Sequence, residues 1–219
     1  MSKEMCEMDF LKTAVLLLVF SITFCPYAIG SVGTEEDRDI NYEMHYPIVY
    51  TENAVVQKKI NTDLYQYIDR FRRAYYDGEF INGKFTYEVR FEDDTYISLI
   101  LHDYRWTGGA HGHTSYIGLV YSKHDGEKLP LRYFIHLTDT DFVTIFYFPL
   151  YNNKNERLNP KAKFSYEDCT HEIPNNYFLK GNGIVALIFQ PYQRAAHAEG
   201  MIYTLIEPKW IDYFNRKNP

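Results

Sequence analysis

The stretch Trp106-Thr107-Gly108-Gly109-Ala110-His111-Gly112-His113-Thr114 concentrates more potential chemistry than any other in the chain. Three glycines within five positions call for unusual backbone angles, close approach of another group, or both. In an extended conformation His111 and His113 fall on one side of the chain, about 7 Å apart. Three readings fit this pattern. The loop is a tight connection whose imidazoles bond nearby carbonyls, or a surface that contacts a ligand or protein, or a pair of metal ligands. A zinc site takes three or four ligands, and His102, Asp103 and His197 complete one only if the fold brings them close.

A second unusual stretch, Gln190-Pro191-Tyr192-Gln193-Arg194-Ala195-Ala196-His197-Ala198-Glu199-Gly200, interrupts two strand patterns with small residues. It reads either as a long hairpin loop or as a recognition loop carried on a rigid sheet. The candidate ligand-binding residues are therefore Trp106, Gly108, Gly109, His111, His113, Tyr192 and His197, with no catalytic residue, metal ligand or cofactor assigned. The observation that separates the readings is whether the two loops converge on one exposed concavity.

Other catalytic signatures are missing: G-x-S-x-G, H-E-x-x-H, the P-loop and the dinucleotide fingerprint do not occur. Glu88, Asp93, Asp94 and Asp103 can be paired on paper as glycosidase carboxylates. Among 29 acidic residues such pairs arise by chance, and Glu92-Asp93-Asp94 reads better as a turn. Cys169 has His171 two positions away, but a catalytic thiol needs a spatial partner and a lowered pKa, so an inert thiol is expected.

These groups must be held by a scaffold that the hydrophobic periodicity outlines. Tyr42, Met44, Tyr46, Ile48 and Tyr50 alternate as a half-buried strand, and Pro47 argues for an edge position. Val56, Ile60, Leu64, Ile68, Phe71 and Tyr75 make one apolar stripe on a long helix, capped by Thr51 or Asn53 and stopped by Asp77-Gly78. Phe85, Tyr87, Val89 and Phe91 alternate as a second strand. Tyr96 to Trp106 is apolar on both faces, which places it centrally in a sheet. Strands follow at Tyr116–Tyr121, Tyr177–Leu179, Ile184–Phe189 and Met201–Ile206, with Lys180-Gly181-Asn182-Gly183 as a hairpin turn. Leu137 to Leu150 reads as a helix ending near Pro149, Tyr151 to Asn176 as loop, and Pro208 opens a short terminal helix with Trp210, Ile211 and Phe214. The fold class is α+β: an antiparallel sheet with one long helix packed on a face and a short C-terminal helix.

The chain has 219 residues and a net charge of -6, with no basic run, so a phosphate-tracking surface and nucleic-acid binding are not expected. Its 21 Tyr and 15 Phe fit a β-rich core with hydroxyls at the rim, or an aromatic surface for glycans or proteins. Thr13 to Phe24 is uncharged and too short to span a bilayer as a helix, which needs about 20 apolar residues. It suits the apolar region of a signal peptide, with Ala28-Ile29-Gly30 as the cleavage signal before Ser31. Lys3 and Lys12 face Glu4, Glu7 and Asp9 in the region that should be positive, which suggests initiation at Met5 or Met8. Cys25 as a lipoprotein acceptor and the segment as a retained anchor are the alternatives. The organisation expected is a signal peptide at 1–30, a flexible linker at 31–40, one envelope domain at 41–214 and a tail at 215–219, exported to the periplasm or exterior without a stable membrane span after cleavage.

A strand with Tyr46-Pro47, a helix containing Lys59-Ile60-Asn61, and the Gly108-Gly109-Ala110-His111 loop together resemble a bacterial envelope domain. It is the domain N-terminal to the catalytic part of PdaC-type peptidoglycan deacetylases, and it is similar to the extracytoplasmic part of lysozyme-responsive anti-sigma factors of the RsiV type. Pro191, Tyr192, Ala195, Ala198 and Gly200 resemble the loop joining the last strand pair of that architecture. The resemblance spans roughly Tyr42 to Phe214. It implies an antiparallel sheet with helices and a binding role, for an envelope protein (lysozyme-like) or a peptidoglycan-type glycan, without deacetylation. The chain departs from the pattern at Ala196-His197, where a stretch richer in Pro and Tyr is expected. A metal-assisted hydrolase using His111 and His113 and a structural envelope subunit are the competing functions.

Overall fold

A computed structural model describes residues 31–219. The expected signal segment at 1–30 lies outside the described residues.

The long helix α1, Ala54–Tyr76, forms where the apolar stripe predicts it, burying Val56, Ile60, Leu64, Ile68, Phe71 and Ala74. Asn53 caps it by accepting from the amides of Val55 at 2.9 Å and Val56 at 3.4 Å. Gly78 ends it at φ 78°, a left-handed conformation that costs glycine little. The stripe packs on one face of a five-stranded sheet: β1 Val32–Asp39, β2 Tyr42–Val49, β3 Asn82–Glu92, β4 Tyr96–Trp106 and β5 His113–Ser122. The strands lie in sequence order, antiparallel except β2 and β3, which pair in parallel from Tyr42↔Gly83 to Met44↔Phe85. Helix α1 is the crossover that a parallel pair requires. Asn61 ties it to β2, its amide bonding both the N–H and the carbonyl of Val49.

Three further strands and β6 form a second sheet in the order β6-β9-β8-β7, all antiparallel: β6 Leu150–Asn152, β7 Tyr177–Gly181, β8 Ile184–Phe189 and β9 Ile202–Ile206. Its alternate residues serve two cores. Phe178, Ala186, Ile188 and Tyr203 cluster with Ile100 of β4. Leu179, Val185, Leu187 and Phe189 cluster with Phe142 and Ile145 of the short helix α2, Phe142–Phe146, and Phe214 of the terminal helix α3, Pro208–Lys217. Strand β7 thus lies across the face of the first sheet opposite α1, with Leu179 N–H donating to Ser98 Oγ at 2.9 Å.

The α+β class, the long helix and the short terminal helix are as expected, with the strands shared between two sheets and one pairing parallel. Four local expectations change. Residues 31–40 are not a flexible linker: eight of them pair along β2 from Val32↔Val49 to Asp39↔Tyr42. Their acids suit an edge strand, where charge deters pairing with another chain, and Asp37 also accepts from Arg72 of α1 at 2.5 Å. Strand β2 is not an edge strand, but Pro47 lies beyond the three residues that pair with β3, so its missing N–H costs no ladder bond on that side. Leu137–Leu150 is helical only over α2, after a 3-10 turn at Asp139–Asp141 with a Thr138/Asp141 capping box. The tail is not free: α3 runs to Lys217, and Asn215 and Asn218 bond the backbone of Phe134 and His136.

Candidate functional site

The loop after β4 takes its shape from its glycines. Gly108 and Gly109 sit at φ 101° and 102°, where a side chain is strained. Trp106 is half-buried and its indole N–H donates to Gly109 O at 3.1 Å, closing the turn. A Cβ on Gly112 would meet the Tyr104 ring at 2.4 Å, so this glycine lies flat against that ring. His111 Nδ1 is 3.1 Å from Gly112 O and donates to it.

The loop between β8 and β9 is pinned beside the first. Gln190 uses its side-chain oxygen to accept from Tyr116 N–H at 2.9 Å and its NH2 to donate to Tyr116 O at 2.7 Å, taking the place of a paired strand on the outer edge of β5. Arg194 is buried, lies 4.3 Å from the Phe146 ring centroid and donates to Phe146 O at 2.7 Å. Tyr192 adopts φ 69°, a left-handed strain that a packed loop can hold. The result is that His197 stacks on His111 with ring centroids 4.7 Å apart. His113 lies 6.3 Å and Tyr192 5.6 Å from His197. Four of the seven candidates, from loops some eighty positions apart, therefore form one aromatic cluster whose His111, His113 and Tyr192 are exposed. Trp106, Gly108 and Gly109 form the turn that precedes His111 in the first loop. Among the described residues no three His, Cys, Asp or Glu side chains gather as metal ligands. Cys169 donates to Tyr166 O, and burial pushes its thiol up, which makes a poor nucleophile.

Next to the cluster, the uncovered part of the sheet face opposite α1 forms an open groove of about 720 Å³. Its floor is built by cross-strand neighbours: Lys84, Tyr104 and Thr114 in one row, Thr86, His102 and Tyr116 in the next. Gly112 against Tyr104 joins the groove to the first loop, although none of the three clustered histidines lines it. His102 stands edge-on to Tyr116 at 5.2 Å, with a buried Nε2 that has no hydrogen-bond partner. Burial lowers its pKa; Glu88, with Oε1 at 3.4 Å, opposes this and Arg90 adds to it. The imidazole is thus neutral near pH 7, and the Glu88 contact is too long for a good hydrogen bond. The alternation of His102 and Tyr104 on β4 carried a signal for this groove, but a strand apolar on both faces hides it.

Residues 34–114 match the family described as Deacetylase PdaC. Over these residues the chain is similar to that family. The match runs from β1 to the start of β5 and includes the first loop but not Tyr192 or His197. The fold of the chain is similar to that of two solved structures. One is a DUF3298 family protein from Pseudomonas aeruginosa, 12% identical over 83% of this chain and 91% of that one, with a TM-score of 0.53. The other is a member of the same family from Bacteroides fragilis, 11% identical over 84% of this chain and 90% of that one, with a TM-score of 0.54. No curated protein matches the sequence.

Proposed function

We propose that this PdaC-like chain is an exported, non-catalytic binding module for the glycan of the cell wall. The observation that carries the reading is the convergence of His111, His113, Tyr192 and His197 at one end of the sheet, beside an open groove. Exposed aromatic and imidazole rings on loops fixed to a sheet are suited to stack on and bond a polar chain without reacting with it. Export is supported by the apolar Thr13–Phe24 run. Among the described residues no helix is long and apolar enough to cross a membrane.

The test is co-sedimentation of the protein with purified cell-wall sacculi and, separately, capture of proteins from an envelope extract. Sacculi should retain the wild type, and the His111→Ala/His197→Ala double variant should be released about tenfold more readily, roughly 1.4 kcal/mol of lost contact. Absence of sacculus binding, with capture of one envelope protein instead, would turn the reading to a protein partner.

A further inference from the structure

We propose that the groove on the open sheet face is a subsite for an uncharged oligosaccharide, with the ring of Tyr104 as its platform. This deepens the wall-glycan reading and rests on it for the ligand's source.

Strand register sets the charges of the groove. Arg38 lies opposite Glu43, Glu43 opposite Lys84, and Lys84 opposite Tyr104. Charges of opposite sign therefore alternate across the strands, and Lys84 Nζ is 3.4 Å from Glu43 Oε2. Asp39 stands in the same wall as Arg38. Two cations and two carboxylates leave the groove no net field with which to hold an ion, so neither an anionic nor a cationic ligand is favoured. The remaining surface is uncharged and includes the hydrogen-bonding groups Asn41, Asn82, Thr86 and Thr114 around the rings of Tyr104 and Tyr116. Neutral donors and acceptors beside an aromatic face match a polyhydroxylated ring, whose C–H face stacks while its hydroxyls bond.

One contact restrains the platform and one buried group offers a bond beside it. Gly112 lies against Tyr104, so the ring has no room to swing towards that loop. His102 presents a neutral imidazole at the floor with its Nε2 unpaired, a buried group that a ligand hydroxyl or amide reached through a small shift would satisfy. A peptide adding as a strand is disfavoured, because β4 is paired on both sides along the floor and β3 on both sides as far as Phe85. The volume, about 720 Å³, falls in the range of roughly 300–1,000 Å³ seen for small-molecule sites and exceeds what one sugar ring needs.

The experiment is calorimetric titration of the protein with three probes: tri-N-acetylchitotriose, the cationic glucosamine trimer, and the anionic hyaluronan tetrasaccharide. The neutral trimer should bind most tightly, and its affinity should change less than about twofold between ~0.05 M and ~0.5 M salt, since no ion pair is made. Tyr104→Leu keeps apolar packing against Gly112 but removes the ring face, and should weaken binding about tenfold. A thermal melt of that variant checks its folding, and Thr86→Val gives a second, isosteric probe of the floor. No binding of the neutral trimer, tighter binding of either charged probe, or unchanged affinity in folded Tyr104→Leu overturns the proposal. Sacculus co-sedimentation run in parallel separates the two readings. Sacculi held equally by wild type and Tyr104→Leu, with no trimer bound, remove the groove and leave the module. Trimer bound without sacculus capture leaves the groove and removes the wall as its source.

Discussion

His102 combines a buried imidazole with an unpaired nitrogen, and this has a consequence for stability. Its folded pKa lies below the ordinary value because burial disfavours the cation, with Arg90 acting in the same direction and Glu88 against it. In the unfolded chain the same ring titrates near its usual value of about 6.5. Below that pH the unfolded state binds more protons than the folded one, so stability falls as pH falls and levels off beneath the folded pKa. Above it the contribution is complete. Urea midpoints measured from pH 7.5 down to about 5.5 should therefore drop more steeply for the wild type than for His102→Gln, which cannot charge. Equal slopes for the two proteins would show that His102 is not held neutral. The sequence marked His102 only as a possible third metal ligand. Its real neighbours, Thr86 and Tyr116, follow from strand register, which residue types alone do not encode.

At the scale of elements, what the sequence made legible was what a single face determines. Helix α1 could be read because its outer side is solvated along its whole length, leaving one apolar stripe. Strand β3 could be read only in part. Near Arg90 its other face is also covered: Arg90 lies under Phe178 at 4.6 Å and Tyr203 at 5.6 Å, and the register shifts between Val89 and Phe91. Alternation then stops reporting a single core, which is why two sheets looked like one. Convergence of the two loops was equally unreadable, because it depends on the Gln190 side chain bonding a residue 74 positions earlier. That latch is testable. Gln190→Ala leaves the N–H and carbonyl of Tyr116 without these partners and should cost about 1–3 kcal/mol. It should also speed hydrogen exchange at the Tyr116 amide and release His197 from His111, seen as loss of the nuclear Overhauser contacts between the two rings. Protection at Tyr116 equal to that of the wild type would assign the edge closure to something other than Gln190.

Across the whole molecule, the two sheets interlock at one residue without a side chain. Gly118 sits on β5 where β7 crosses, and a Cβ there would fall 2.0 Å from Tyr177 O and 2.8 Å from Tyr177 N. These are backbone atoms within a sheet, so no rotamer change relieves the clash; the sheets must separate. The backbone of β7 is fixed in turn by Leu179 N–H on Ser98 Oγ and by pairing with β8. Gly118→Ala should therefore destabilise the protein by about 3 kcal/mol, the upper part of the range for overpacking. Because Ile100 and Phe178 share one cluster across the sheets, the loss should appear as a single transition. Far-ultraviolet circular dichroism, reporting strands, and tyrosine fluorescence, reporting rings in both sheets, should shift together in the variant. Two separated transitions would mean that the sheets unfold independently and that the β5–β7 crossing adds little. Since the same crossing sets where the sheet face stops being covered, a variant that loosens it should also alter the inner end of the groove at His102. The pH slope measured for His102 should then shrink in Gly118→Ala as water reaches the ring, linking the packing of the two sheets to the chemistry of the groove.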